Sequence, residues 1–224
     1  MSSDRATEAE AATAPVPHPL LPLLLSAASG AFPAVDGRAV LVPPLPGGLQ
    51  AVVSFTGHAV IATGLDERDF SGLHLDGFGS ALHPDVLQRL AARGGGVGVI
   101  DATLVGRGTG GGDLPELVDQ DKHPRVRHAR ALRQQVRVHG DERGIVTLSH
   151  GLAGRTELSV ETSVQGQGRG RSLILDALRL SPLGELVFAA VSPGNARSLR
   201  AFLAAGFQPV GSEVIIAPPA PNGI

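Results

Sequence analysis

The sequence predicts a mixed α/β or α+β fold, in which helices pack on the faces of a sheet. The first observation is an alternation of strand and helix patterns along residues 156–216. The second is a set of short β patterns and two helical segments in the first half of the chain. The third is size, because 224 residues with 42% hydrophobic content can build one ordinary domain or two halves that share a core.

The first half, residues 18–106, begins with a short amphipathic helix and then becomes mainly β. Helices are predicted over residues 20–28 and 83–93. Strands are predicted over residues 39–42, 49–55, 58–63 and 97–105. Thr56-Gly57 is typical of a hairpin turn between the second and third of these strands. We expect residues 1–17, which are rich in Ser, Ala, Glu and Pro, to form a disordered tail.

The second half, residues 113–224, follows a glycine run at 106–112 that marks the candidate boundary between the halves. Helices are predicted over residues 114–132, with an interruption before Pro124, and over 168–180 and 193–205. Strands are predicted over residues 134–138, 145–149, 156–162, 185–191 and 207–216. In the strand at 156–162 apolar and polar residues alternate, so one face carries Leu158 and Val160 and the other carries Glu157, Ser159 and Glu161.

Composition excludes several classes of function. The formal net charge is −2 and the chain has no Trp or Tyr, so we expect no nucleic-acid partner. The absence of Cys excludes disulfides, thiolate metal sites and a cysteine nucleophile. His123 and His128 are too far apart for a helical metal pair, so no metal is expected. No stretch reaches the roughly 20 apolar residues of a membrane span, and residues 20–28 lack the basic flank of a signal peptide. We therefore expect a cytoplasmic protein with no membrane partner.

A glycine-rich segment directly follows the strand at 156–162. Residues 165–171 read Gln-Gly-Gln-Gly-Arg-Gly-Arg and lead into the next helix. Glycines let the backbone approach a ligand, and N–H groups at a helix N-terminus attract anions, so the segment predicts an anion cradle. A dinucleotide fingerprint would need glycine at Arg171, and a triphosphate loop would need Gly-Lys-Ser/Thr, so neither applies. An ordinary glycine-rich turn is the alternative.

A second motif occupies residues 191–207. A strand ends there, and Asn195-x-x-Ser198 begins a helix. Phe202 follows the serine by four residues, and Gly206 closes the helix before a final phenylalanine. One helix and one strand separate this motif from the glycine segment.

The two motifs together resemble those of the GNAT superfamily of N-acetyltransferases. The first matches as Gln-x-x-Gly-x-Gly at residues 165–170, and the resemblance covers about residues 134–216. It implies a mixed, mostly antiparallel sheet with helices on both faces and an N-terminal α/β extension. It also implies a V-shaped cleft between the strands at 156–162 and 185–191.

The resemblance implies that acetyl-CoA is the co-substrate and lies in that cleft. Backbone amides of residues 165–170 would hold the pyrophosphate. The family's usual arginine at the position of Gln165 acts chiefly through its backbone, so glutamine is compatible with this role. Backbone groups near Val160 and Thr162 would pair with the pantetheine arm. The other cofactor contacts implied are Gly166, Gln167, Gly168, Arg169, Gly170, Arg171, Asn195 and Ser198. The alternatives are a helix cap for Asn195 and solvent-facing helix positions for Arg169, Arg171 and Ser198.

The chain departs from the family at Phe202, where many members carry a tyrosine that protonates the leaving thiolate. The chain has no Tyr, so water, Ser198 or the substrate ammonium would donate that proton, or activity is weak or absent. An alkyl ammonium has a pKa near 10.4, so a base must also accept its proton. The candidate bases are Glu161, Glu157 and His150, each of which is also explained as an ordinary solvated side chain.

These expectations favour an acetyl-CoA-dependent N-acetyltransferase that moves an acetyl group to a primary amine by direct attack in a shared cleft. The alternatives are a catalytically silent coenzyme A-binding or regulatory module, and a structural unit that supports oligomerisation such as a homodimer. Candidate acceptors are small amines, amino acids, antibiotics, and protein lysines or N-termini, and the sequence does not choose among them.

Overall fold

One sheet of ten strands runs through the part of the chain that the computed structural model describes, residues 16–164 and 166–219. The strands are β1 (Arg38–Val42), β2 (Gln50–Phe55), β3 (His58–Ala62), β4 (Gly96–Val97), β5 (Asp101–Arg107), β6 (Gln134–Asp141), β7 (Gly144–His150), β8 (Thr156–Thr162), β9 (Leu186–Val191) and β10 (Gln208–Ala217). The α-helices of the same residues are α1 (Leu20–Ala28), α2 (Pro84–Ala91), α3 (Pro124–Leu132), α4 (Arg169–Arg179) and α5 (Ala196–Ala204).

The strand order in the sheet is β1-β3-β2-β10-β5-β9-β8-β7-β6, and β4 pairs with β10. Among the described strands, β1 is parallel to β3 and β8 is parallel to β9, whereas the other neighbours are antiparallel. This arrangement confirms the predicted mixed α+β class with a mostly antiparallel sheet.

Strands from both halves of the chain lie side by side in this sheet. The final strand β10 pairs with β2 and β5, which both precede the glycine run at 106–112. That run is hydrogen-bonded to the end of α4, because the Thr109 N–H donates to the Leu178 carbonyl (3.0 Å) and the Gly112 N–H to the Arg179 carbonyl (2.9 Å). A Cβ at Gly112 would lie 2.6 Å from the Arg179 carbonyl carbon, so only glycine permits this approach.

Strand alternation divides the hydrophobic core between the two faces of the sheet. On one face α1 packs in a cluster with Val53 and Phe188. The next residues along those strands point to the other face, where α2, α4 and α5 pack in two further clusters. Helices on both faces are therefore confirmed. Leu158 lies in the α4 cluster, so its neighbour Glu157 points to the α1 face.

The structure corrects two predicted elements. The helix predicted over residues 114–123 is wrong, since this segment runs beside β6 and the Leu117 N–H donates to the Val138 carbonyl (2.8 Å). Pro115 cannot donate a helical hydrogen bond, and pairing with the sheet edge satisfies the backbone instead. The strand predicted over 97–105 is divided into β4 and β5. Of the predicted disordered tail, residues 1–15 lie outside the described residues.

Candidate active site

The parallel strands β8 and β9 are paired at one position, Glu157 opposite Phe188. The opposite edge of β8 is paired along its whole length, from His150–Thr156 to Gly144–Thr162. Beyond Glu157, the edge of β8 that faces β9 has no ladder partner among the described residues. An unpaired strand edge offers backbone donors and acceptors to an extended ligand.

Residues 166–168 lead into α4, with Gly168 directly before the helix. Gly166, Gln167 and Gly168 adopt left-handed backbone conformations with φ of 97°, 54° and 71°. No side chain caps α4 at Gly168, and the N–H groups of Gly170 and Arg171 have no acceptor among the described residues. Free N–H groups at the positive end of a helix form a site for an anion. Gln165, the first predicted pyrophosphate contact, lies outside the described residues.

The end of β8 and the helices α4 and α5 meet at Gly170. A Cβ built at Gly170 would lie 3.6 Å from the Ala201 Cβ and 3.7 Å from the Thr162 Cγ2, which are ordinary packing distances, so β8 and α5 both lie next to this glycine. Val160 and Thr162 are half-buried on β8. Arg171 is exposed, whereas Arg169 is half-buried and its guanidinium reaches the Gln167 side chain.

Asn195 caps helix α5. Its Oδ1 accepts a hydrogen bond from the Ser198 N–H at 3.2 Å, which satisfies one of the free donors of the first turn. The Asn195 side chain is exposed, so the cap leaves its amide NH₂ open to a ligand. The structural role is therefore present, and the predicted cofactor contact stays a prediction.

We expect Asn195→Ala to lower the free energy of unfolding by about 1 kcal/mol, because the cap is lost. Asn195→Ser is expected to keep the stability, because the serine hydroxyl also caps helices. If the amide also binds the cofactor, the serine variant will weaken coenzyme A binding at unchanged stability. Urea unfolding and calorimetric titration with coenzyme A measure the two effects. Equal destabilisation by serine and alanine would contradict the capping role.

Phe202 is a core residue. It is buried and makes an edge-to-face contact with Phe207, with ring centroids 4.9 Å apart and ring planes at 82°. Aromatic pairs of this geometry stabilise a core beyond the area that they bury. This side chain therefore serves packing in this chain.

A chain of buried charges lies on the α1 face of the sheet. Arg155 donates to Glu213 (Nη2 to Oε1, 2.7 Å) and to Glu157 (Nη2 to Oε2, 3.2 Å). Arg133 pairs with the second Glu157 oxygen (Nη2 to Oε1, 2.6 Å). Asp101 lies directly opposite Glu213 in the β5–β10 ladder. We call these five residues, Asp101, Arg133, Arg155, Glu157 and Glu213, the charged cluster.

The charged cluster holds Glu157 as an ionised carboxylate. Burial favours the neutral acid, but the charges of Arg155 and Arg133 outweigh it and lower the pKa of Glu157. A carboxylate with two arginine partners and a lowered pKa is a weak proton acceptor. The geometry thus gives this candidate base a structural role.

Glu161 and His150 lie at opposite ends of the β7–β8 pair. Glu161 is half-exposed near the glycine segment, and its carboxylate contacts Arg125 Nε (3.3 Å) and His123 Nε2 (3.8 Å). His150 is exposed and lies opposite Thr156, at the end of β8 that is remote from the glycine segment. Of the three predicted bases, Glu161 is therefore the one that lies beside the predicted cofactor site.

Asp101 is a further candidate base, which the sequence analysis did not predict. It is half-buried at the start of β5 and makes no ion pair with any described residue. Burial and the charges of Glu213 and Glu157 raise its pKa to about 6, although Arg133 acts in the opposite direction. A half-buried carboxyl group with a pKa near the working pH is suited to general-base catalysis.

Comparison with known proteins adds no relative. No family model matches the chain, and no curated protein or solved structure matches it.

Within residues 16–164 and 166–219, no group of three or more His, Asp or Glu side chains is arranged to hold a metal ion. In the same residues, no helix has the length and apolar character needed to cross a membrane.

Proposed function

We propose that this chain is an acetyl-CoA-dependent N-acetyltransferase of the GNAT type. The observation that carries the proposal is the turn at residues 166–171, where free N–H groups begin α4 beside the unpaired edge of β8. Coenzyme A links a diphosphate to an extended amide arm. The turn, which suits an anion, and the unpaired edge of β8, which suits an extended arm, lie next to each other in the fold. The proposal also rests on the resemblance of the two sequence motifs.

The turn would bind the diphosphate through the backbone N–H groups of Gly168, Gly170 and Arg171. The guanidinium groups of Arg169 and Arg171 would add positive charge at the same end of α4. The pantetheine arm would lie along β8 near Val160 and Thr162, as an added strand does. This placement brings the thioester toward the point where β8 and β9 come together.

In the reaction, the amine nitrogen attacks the thioester carbon, the C–N bond forms and the C–S bond breaks. A base takes one proton from the amine, and the leaving thiolate takes one from water or the substrate ammonium, since Phe202 has no hydroxyl. We assign the base to Asp101, because it is a half-buried carboxyl group opposite Glu213 in the β5–β10 ladder that has no ion-pair partner among the described residues, and burial raises its pKa to about 6. Glu161 is the second choice, and its carboxylate is already engaged by Arg125.

A catalytically silent coenzyme A-binding module is the second candidate function. The specific observation that favours it is Phe202, which is buried against Phe207 at the position of the family's tyrosine acid. Such a module would use the same turn at residues 166–171 and would bind coenzyme A without turnover.

Calorimetric titration with coenzyme A, followed by assay of thiol release from acetyl-CoA with a panel of amines, tests the proposal. Binding together with amine-dependent thiol release supports the acetyltransferase. Binding without thiol release from any amine supports the silent module. No binding at millimolar coenzyme A would overturn both.

A further inference from the structure

The charged cluster contains one more acid than it has bases. Glu157 and Glu213 are paired with Arg133 and Arg155, whereas Asp101 has no cation within ion-pair distance among the described residues. Asp101 and Arg133 are the two half-buried members of the cluster, whereas Arg155, Glu157 and Glu213 are buried. A half-buried carboxylate beside two other carboxylates is stabilised by a cation that arrives from solution.

The cluster also contains two buried donors without an acceptor among the described residues, Nη1 of Arg155, whose side chain is fully buried, and Nη1 of Arg133, which lies nearer the surface. Arg133 binds Glu157 through Nη2, but its buried Nη1 makes no hydrogen bond to any described residue. Its side chain is 9% exposed, so the guanidinium lies just below the surface. An unpaired buried N–H is unfavourable by about 1–3 kcal/mol, and an anion or a water must relieve that cost.

Asp101 and Arg133 are close enough that the arginine charge lowers the pKa of the aspartate, yet they form no ion pair. The exposed His128 lies near the same arginine. Burial and the charges of Arg133 and Arg125 lower the pKa of His128, so its imidazole is mainly neutral at pH 7. It therefore does not supply the cation that Asp101 lacks.

We propose that the acetyl acceptor is an α-amino acid or a similar zwitterion, whose ammonium group pairs with Asp101 and whose carboxylate binds Nη1 of Arg133. This inference rests on the proposed acetyltransferase function and names its acceptor class. One small molecule with adjacent opposite charges supplies a cation to Asp101 and an acceptor to Arg133, the two members of the cluster that lie nearest the surface. A simple alkyl ammonium ion or an internal lysine of a protein brings the ammonium group without the neighbouring carboxylate, so Arg133 Nη1 stays unpaired.

The test compares each of the common amino acids with its own methyl ester in the acetylation assay, using the full-length protein and acetyl-CoA. Hydrogen bonds to charged groups contribute about 1.5–3 kcal/mol, so kcat/KM for the best acid is expected to exceed that of its ester by about 10- to 100-fold. At neutral pH the amine of an ester is less protonated than the amine of the corresponding acid. A larger fraction of the ester can therefore attack acetyl-CoA, and this effect opposes the expected preference for the acid. Equal or higher kcat/KM for the esters would overturn the inference.

Two variants assign the preference to Arg133. Arg133→Gln removes the guanidinium, and Arg133→Lys keeps a cation for Glu157 while losing the forked donor. Both are expected to reduce the acid-to-ester ratio by at least about fivefold. Arg127→Gln is the matched control, since Arg127 is an exposed arginine of α3, the helix that ends just before Arg133, and has no ion pair among the described residues. An unchanged ratio in Arg133→Lys, or an equal fall in Arg127→Gln, would contradict the assignment.

Titration of the same amino acids and esters into the cofactor-free protein separates the two proposals. If amino acids bind and Arg133→Lys weakens their binding, the proposed acceptor site is supported even if the protein does not use acetyl-CoA. If coenzyme A binds and amines are acetylated without a preference for acids, the acceptor inference fails and the proposed function stands. Failure of both titrations would overturn both.

Discussion

Replacing Gly168 with glutamate is expected to weaken coenzyme A binding by at least about 100-fold while the fold is retained. Gly168 has φ of +71°, and nothing lies within 4 Å of a Cβ built there, so the side chain has room. The left-handed conformation is unfavourable by roughly 1–2 kcal/mol for a non-glycine residue. The new carboxylate would stand where we place the diphosphate, and repulsion would replace two or more charge-assisted hydrogen bonds.

Gly184→Glu is the matched control for this variant. Gly184 follows the other end of α4, has φ of +83°, is exposed and also has nothing within 4 Å of a built Cβ. It therefore receives the same charge and similar backbone strain at a distance from the turn. Thermal unfolding and calorimetric titration of both variants measure stability and affinity. Wild-type affinity in Gly168→Glu, or an equal loss in Gly184→Glu, would show that the turn is not the diphosphate site.

The local elements of the second half could be predicted because their sequence periods match their packing. In β8 the alternation of residues places Leu158 under α4 and Glu157 on the opposite face, as the pattern indicates. Helix α5 begins at its Asn195 cap and ends before Gly206, both of which are readable as local chemistry. These features depend on residues within one turn or one strand of each other.

The charged cluster could not be predicted in the same way. Its members come from β5, the end of α3, the start of β8 and the middle of β10, and only the sheet order brings them together. Asp101 gives no sign of its role in the sequence, because Glu213 becomes its neighbour through the β5–β10 ladder. The same dependence on tertiary pairing explains the missed edge segment at 114–123, which the sequence pattern presents as helical.

Asp101→Asn is expected to reduce kcat/KM for amine acetylation by about 10²- to 10⁴-fold, the range typical of losing a general base. In the wild type, kcat/KM should rise with pH through about 6 as Asp101 loses its proton, and this acidic limb should be absent in the variant. Glu161→Gln is expected to retain the limb. Wild-type kcat/KM in Asp101→Asn would exclude Asp101 as the base.

The Asp101→Asn variant should also be more stable than the wild type at neutral pH. The pKa of Asp101 is raised from 3.8 to about 6 in the fold, so folding binds its proton more tightly and stability falls as pH rises between these values. Asparagine carries no charge and avoids this loss. After allowance for solvent screening of a half-exposed group, the gain is about 1 kcal/mol above pH 6 and disappears below pH 4. Urea unfolding across this range measures it, with the exposed Asp113→Asn as the control. Lower activity with higher stability in one substitution would mean that the chain keeps an unfavourable carboxylate for its chemistry, since packing gives no reason for it.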